Sequence, residues 1–565
     1  MSGREYEPTP LSPPSSQKTA TGRGAQTDIN ETFLSELREC LAERRIERGL
    51  SCLRTRAKLV GKLGPAQKNA GCLVGHLAQW IDAGAFDFSF LKLLLRRFDA
   101  ATRGSLTLNN YVYLRIADGM LAMAEEEIDT AIRHFDFVLD LPDELNDRQS
   151  LSIVFFWKAR CLRRRGEYEK ALIYANQGKE SALALGYPKM AALSEVLESW
   201  ILFQRGKLKE AEQVSQHAES VLRETDDHVT LGNIYSFYGR MARRAGRFDK
   251  AIEHFEQAIV EFRNRDPRHP NLARTLANIA LAKRAIALQL RRKIDKQAER
   301  RRKEASPAAG GSSATEYRQR LDYLHNEIVT HLDEALAIYA HHPTHHGIGT
   351  VHLNYAYVLL DDGDYQAAEV KARDAYRLGE EKQDYILMGR ARVVQCMIEN
   401  ARVEEEISEG TDPGSHARRA LEYVHEAVEL ARHTQNQRLL TNAYLWLGFT
   451  HCNAFFDDTE AAREAYDQAI SSRKGAQPDS MWEDLQALKA KIVRAGSIDS
   501  KLKAWSQGSL GDKTFQQVTE EFAELIIPRV WEREGRKVSR VATRLSISPK
   551  KVRRILDRVG RRKPQ

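Results

Sequence analysis

Small and apolar residues return along this chain with a step of 40. Ala131, Ala171, Ala211 and Ala251 stand 40 residues apart, and twelve residues before each lies Gly119, Ala159, Ser199 or Gly239. In "RRGEYEKA", "QRGKLKEA" and "RAGRFDKA", Gly166, Gly206 and Gly246 precede their Ala by five residues. The pattern predicts a helical hairpin. A small side chain lets two helices approach closely, Gly ends the first in a left-handed conformation, and Ala packs at the start of the second. Each hairpin can bury its apolar face only against the next, so a stack with a continuous core follows.

The flanks read differently. Residues 1–30 are rich in Ser, Pro, Thr and Gly without an apolar run, which predicts a disordered tail and no signal peptide. "ETFLSELRECLAERRIERGL" sets Phe33, Leu34, Leu37, Leu41 and Ile46 at helical spacing, and "FDFSFLKLLLRRF" is an apolar run that needs burial. Residues 31–104 therefore read as an N-terminal helical cap for a first set of repeats over 105–290. The segment 291–320 breaks the array: a charge-dense helix extension leads into "SPAAGGSSAT", a flexible linker by composition. Repeats resume over 321–500, and a second linker at 501–514 leads to a final unit at 515–565.

These spacings resemble the tetratricopeptide (TPR) repeat. In 233–262, Tyr235, Gly239, Gly246, Phe248, Ala251, Phe255 and Ala258 fall in the family's register; in 353–376, Ala356, Gly363, Tyr365 and Ala368 do so. Looser copies surround 332–340, 417–431 and 443–470. The resemblance implies an all-α, TPR-like helical-hairpin solenoid of about eight repeats, binding a protein or peptide along its concave face. The family's step is 34, so the step of 40 implies longer helices or connections and a curvature of its own.

Composition agrees with an all-α chain: 42% apolar, 29% charged and only 8% aromatic residues, with Pro scarce outside the ends. The six cysteines are scattered with no C-x-x-C pair, as expected of reduced thiols in a cytoplasmic protein. No long uninterrupted apolar run suggests a membrane span. Charge is the informative quantity once it is located. From Pro528 to Gln565 there are 14 Lys and Arg against three acids, a net of +11, so the other 527 residues carry −3 of the chain's total of +8. The whole basic excess sits on one small module, the footprint of a polyanion site.

Within that module "VSRVATRLSISPKKVRRIL" predicts two short helices and a tight turn. Val541, Leu545, Ile547, Val552 and Ile555 are its core positions around Ala542, Ser546 holds the turn, Ser548 caps the second helix and Pro549 opens it. Residues 522–562 resemble the Fis-type helix-turn-helix at the C-terminus of many bacterial transcription activators. Gly535, Val538, Ser539, Ala542, Leu545, Ile547, Ile555, Leu556 and Gly560 match, whereas Ser546 replaces the usual turn Gly and Pro528 interrupts the leading helix. The resemblance implies duplex DNA as partner. Lys550, Arg553 and Arg554 then face the groove, with Ser548 and Lys551 on the same helix. Arg536, Lys537, Arg540, Arg544, Arg558, Arg561 and Arg562 contact phosphates. Fis-type modules also pair through their leading helices, and the apolar residues of 522–531 supply either a homodimer seam or packing within one copy.

Other features carry less. "HHPTHH" (His341, His342, His345, His346) has metal-ligand spacing, but it falls in an inter-repeat loop with no Cys or carboxylate near it in sequence, so no metal is expected. Arg300–Arg302 sit among Glu299 and Glu304 and read as a solvated helix end. No phosphate loop, G-x-S-x-G elbow or H-E-x-x-H is present, so neither catalysis nor a cofactor is expected. Two readings remain. One is a bacterial DNA-binding transcription regulator whose solenoid binds a controlling protein or peptide. The other is a TPR scaffold in a multi-protein assembly, its basic tail docking protein or RNA.

Overall fold

The computed structural model describes residues 31–83, 88–145, 147–304, 311–473, 480–496 and 511–562, together with Trp505 and Gly508. The segment 1–30, read as a tail, lies outside them, as does most of the 501–514 linker. Secondary structure among the described residues is helical, with two one-turn 3-10 segments and no strand. The chain divides into two compact units, Met1–Leu488 and Lys489–Gln565.

In the first unit, α1 (Glu31–Ala42), α2 (Ile46–Thr55), α3 (Ala57–Gly61), α4 (Ala70–Gln79), α5 (Phe88–Leu95) and α6 (Ala100–Gly104) precede the hairpins. Four hairpins follow at the step of 40: α7 (Leu108–Ala124) with α8 (Ile128–Leu139), α9 (Arg148–Arg165) with α10 (Tyr168–Ala184), α11 (Pro188–Gln204) with α12 (Leu208–Leu222), and α13 (His228–Arg244) with α14 (Phe248–Arg265). Four more complete the stack: α15 (Pro270–Glu304) with α16 (Gly311–Tyr339), α17 (Gly347–Asp361) with α18 (Tyr365–Glu381), α19 (Tyr385–Glu409) with α20 (Gly414–Arg432), and α21 (Gln437–His451) with α22 (Thr459–Ser471). The fold is an all-α, TPR-like solenoid of eight hairpins, followed by α23 (Ser480–Gly496).

The step exceeds 34 because the helices are long: α9 has 18 residues, and α10, α11 and α13 have 17 each. The small residues do the work their spacing predicts. A Cβ on Gly239 would stand 2.5 Å from the Phe255 ring, and one on Gly119 2.6 Å from Phe135, so only Gly admits these aromatic side chains between paired helices. Ala131, Ala171, Ala211 and Ala251 are completely buried. Gly166, Gly206, Gly246 and Gly363 hold φ between 74° and 82°, the left-handed turn between two helices. Two hairpins depart from this: Glu126 holds a left-handed φ of 67° in the α7–α8 turn and Asp457 one of 48° in the α21–α22 turn.

The interruption is helical where it is described. The charged segment continues α15 to Glu304, and α16 begins at Gly311 within the Gly/Ser-rich stretch. The amino-terminal helices bond to several rungs of the array. Gly71 and Gly75 of α4 face the α7 backbone so closely that a Cβ would lie 2.4 Å from the Asn110 carbonyl oxygen and 2.6 Å from that of Tyr113. Asp226 accepts hydrogen bonds from the Ile46 and Glu47 amides at 2.6 and 2.8 Å, satisfying two donors at the start of α2. Arg44 pairs with Asp227 at 2.7 Å.

The stack also meets itself. The α7–α8 turn touches the loop leading into α17 through Glu126 and His346, which are 220 residues apart. The α9–α10 turn touches the loop leading into α21, where Gln435 N–H donates to the Gly166 carbonyl at 3.3 Å. The Gln435 side chain in turn accepts from the Glu169 amide at 3.1 Å, across 266 residues. Distant rungs are thereby bonded, and the first helices of the hairpins surround an interior. All six cysteines are free, five of them buried. Among the described residues, no helix is long and apolar enough to cross a membrane.

The second unit holds α24 (Phe515–Arg533), α25 (Val538–Leu545) and α26 (Pro549–Arg562). Thr514 and Gln517 form a capping box at the start of α24, which runs through Pro528. Ile527, Val541, Ala542, Val552 and Ile555 form its buried core, ringed by Leu545, Ile547 and Trp531.

Candidate functional site

Two surfaces carry concentrated chemistry, one in each unit. In the three-helix unit, apolar positions three and four apart on α25 and α26 turn into the core, which leaves the cations between them outside. Ser546 adopts φ 51° in the α25–α26 turn, doing as a non-Gly residue what Gly commonly does there. Ser548 caps α26, its hydroxyl accepting from the Lys551 amide at 3.2 Å. Arg536, Lys537, Arg540, Arg544, Lys550, Lys551, Arg553 and Arg554 are exposed.

They are not equivalent. Lys537, Arg540, Lys550 and Arg553 have no acidic partner among the described residues, while Lys551 lies within electrostatic reach of Glu520. Arg544 pairs with Glu534, and Arg536 lies over the Trp531 ring at 5.5 Å. Arg554 stands 3.9 Å from Glu520. Arg558 is half-buried and donates to Glu520 at 2.8 Å and Glu524 at 3.2 Å. Its pKa is raised and that of Glu520 lowered, each chiefly by this hydrogen bond. The side chains of Arg561 and Arg562 lie outside the described residues. Of the 522–531 seam, Ile527, Val530 and Trp531 pack within one copy, while Phe522 is 47% exposed and Phe515, about two turns earlier, 83%.

The second surface is the solenoid interior, whose lining the repeat spacing alone did not reveal. A cavity of about 110 Å³ is walled by α9, α11, α13, α15 and the amino-terminal helices; five arginines and no carboxylate line it among the described residues. Arg274 donates to the side-chain oxygens of Asn271 and Asn233 at 2.9 and 3.2 Å. Arg240 lies over the Trp200 ring at 4.7 Å, and Arg160 over Trp157 at the same distance. The Nε atoms of Arg163, Arg240 and Arg243 are buried with no hydrogen-bond partner. Burial first, and neighbouring guanidinium groups second, pull Arg163 down to about 9 and Arg243 to about 10, with Arg240 also well below its ordinary value. A signal was present in the sequence: Arg163 and Arg243 occupy one repeat position, with Phe203 between them. Which repeat positions face inward depends on the winding.

"HHPTHH" lies in the loop before α17, as its Pro suggests, but a carboxylate does approach it. His345, His346 and Glu126 bring ligand-type atoms within 4.8 Å of one another. Arg164 also reaches both Glu126 and His346, so a guanidinium already occupies the cationic place in the cluster. The arrangement is an ion-pair clasp between two rungs. The carboxylate comes from 220 residues away, which local sequence could not show.

Residues 201–259 match the tetratricopeptide repeat family model. No curated protein sequence matches the chain. Among solved structures, a Rap protein complexed with Competence and Sporulation Factor is 11% identical with a TM-score of 0.44, covering 78% of this chain and 100% of that one. Human IFIT1 as a dimer with m7Gppp-AAAA is 14% identical at a TM-score of 0.41, covering 79% and 96%. The apo quorum sensor NprR from B. thuringiensis is 12% identical at 0.38, covering 78% and 98%. The family match falls on α11 to α14, where the 40-residue register is cleanest, and the eight stacked hairpins give the chain an all-α, TPR-like solenoid fold.

Proposed function

We propose that the chain is a bacterial transcription regulator that binds duplex DNA through α25 and α26 while its solenoid receives a protein or peptide partner. The observation that carries this reading is the set of exposed cations on α26, Lys550, Lys551, Arg553 and Arg554, within a segment, 528–565, holding a net +11 in a chain otherwise at −3. A basic helix presented beside a short supporting helix suits the major groove, where Arg reading guanine contributes ~1–3 kcal/mol of discrimination. Regulation requires the partner to bind the DNA-competent and DNA-incompetent states with different affinity.

The test is binding of the full chain to a pool of random duplexes. Wild type should enrich particular sequences, and Arg553→Ala with Arg554→Ala should abolish enrichment while leaving the far-ultraviolet spectrum of the solenoid unchanged. Equal retention of all duplexes by both proteins would rule the reading out.

A second reading, a scaffold whose basic tail docks protein or RNA, is favoured by the acids on α24. Glu520 and Glu524 engage Arg558, and Glu520 approaches Arg554, which lowers the charge presented at that end of α26. Under it, the same double substitution disturbs recovery of a partner assembly and leaves duplex binding as it was.

A further inference from the structure

The interior of the solenoid has a physical problem that its own residues do not solve. Five guanidinium groups line one small cavity with no carboxylate among the described residues of its wall. Several interior cations are matched: Arg44 of this same wall by Asp227, and, farther off, Arg164 by Glu126 and Arg402 by Glu399. Arg163 and Arg240 are not. Neither guanidinium group has an ion pair or hydrogen bond among the described residues, and the Nε of each is shielded from solvent. An unpaired, desolvated cation costs free energy that folding must absorb, and such sites are kept where they meet a ligand.

From this we infer that the cavity bounded by Arg163, Arg240 and Arg274 binds a small molecule carrying a phosphate group. The site belongs to the solenoid and is independent of the DNA reading.

Charge density selects phosphate over carboxylate. A cavity of about 110 Å³ has room for about eight waters. One or two acidic side chains fit there and bring one negative charge each. A phosphate monoester concentrates about −1.5 to −2 in a single group with three acceptor oxygens. Guanidinium forks match that geometry in pairs, as they do not match a single-point charge. The arginines are also preorganised. Arg240 is stacked on Trp200, and Arg274 is held by Asn233 and Asn271. The rest of the wall includes Trp157, Met190 and Leu197, which offers an apolar surface to whatever carries the phosphate. Lowered pKa values at Arg163 and Arg240 agree, because they report buried cations repelling one another without a counter-charge.

The experiment uses the full chain in phosphate-free buffer, with titration calorimetry and thermal unfolding as readouts. The probes are pyrophosphate, adenosine monophosphate, the dipeptide Glu-Glu and sulfate. Wild type should bind pyrophosphate or the nucleotide at least tenfold more tightly than Glu-Glu or sulfate, with a matching rise in Tm. Tighter binding of the nucleotide assigns the apolar wall to the site; tighter binding of pyrophosphate assigns the arginines alone. Arg163→Gln with Arg240→Gln should lose that binding at least tenfold while melting no lower than wild type without ligand, since it removes two repelling charges. Arg240→Lys is the second variant: it keeps the charge and should still lose affinity by removing the fork. Arg553→Gln with Arg554→Gln should bind the probes as wild type does, which separates this site from the basic tail. Equal affinity for Glu-Glu would assign the cavity to acidic peptides and overturn the proposal. Equal affinity for sulfate, or binding retained by the double variant, would indicate an adventitious ion only, and absence of binding by every phosphate probe would overturn it as well.

Discussion

His346 Nδ1 lies 3.2 Å from Glu126 Oε1 although 220 residues separate them along the chain. Arg164 pairs with the same carboxylate, so three elements meet at one turn. Glu126 holds the left-handed position that sister hairpins give to Gly, and its ion pair with Arg164 and hydrogen bond with His346 offset the cost of that backbone conformation. Burial by itself would raise its pKa, but His346 and Arg164 hold it down at about 2. A carboxyl depressed in the folded state stabilises fully above its ordinary value of 4.5, and that contribution is lost as pH falls from there towards 2. The shift corresponds to ~3 kcal/mol. Urea unfolding at pH 7 and pH 3 should show this loss in wild type, and Glu126→Gln should be less stable at pH 7 with a flatter profile below 4.5.

The glycines of one hairpin act for different reasons, and the difference is measurable. Gly246 sits at φ 74° with open space where a methyl would go, so Gly246→Ala should cost about 1–2 kcal/mol through backbone strain alone. Gly239→Ala pushes a methyl against the Phe255 ring and should cost about 1–3 kcal/mol. Adding Phe255→Leu should recover part of the second loss and none of the first, as double-mutant cycles by chemical denaturation would show.

Arginines on the same helix of the basic unit should separate by role. Arg553 has no protein partner among the described residues, so Arg553→Ala should weaken duplex binding and leave the melting of the unit unchanged. Arg558 is tied to Glu520 and Glu524, and Arg558→Ala removes both of these hydrogen bonds. It should destabilise the unit and change the salt dependence of binding less than Arg553→Ala does. With about five phosphates engaged, the logarithm of affinity should fall against log salt with a slope near −4 to −5. Filter binding across a range of salt concentrations reads both.

Phe515 and Phe522 lie on an exposed stripe of α24, apart from the residues that close the core of the unit. If two copies associate through that helix, Phe522→Asp should convert dimer to monomer in sedimentation equilibrium without lowering Tm. Ile527→Asp should instead unfold the three-helix unit, because Ile527 is its buried centre.

The local rules of this protein were readable in the chain. Helices α7 to α14 begin at the 40-residue step that Gly119, Gly239 and the four alanines announce, because helix pairing distance and turn handedness are set by residue types within a few positions of one another. The core of the last unit was legible for the same reason: Val541, Val552 and Ile555 are apolar at helical spacing between cations. Winding is not a local property. It sums small rotations between successive hairpins, so only the folded chain brings Glu126 to His346, seats Gln435 on Gly166 and turns Arg163, Arg240 and Arg274 toward one another. An arginine on an amphipathic helix looks solvated until its neighbours arrive from other rungs. Residue spacing determined the hairpins, and tertiary closure decided which of their charges would be left facing an interior.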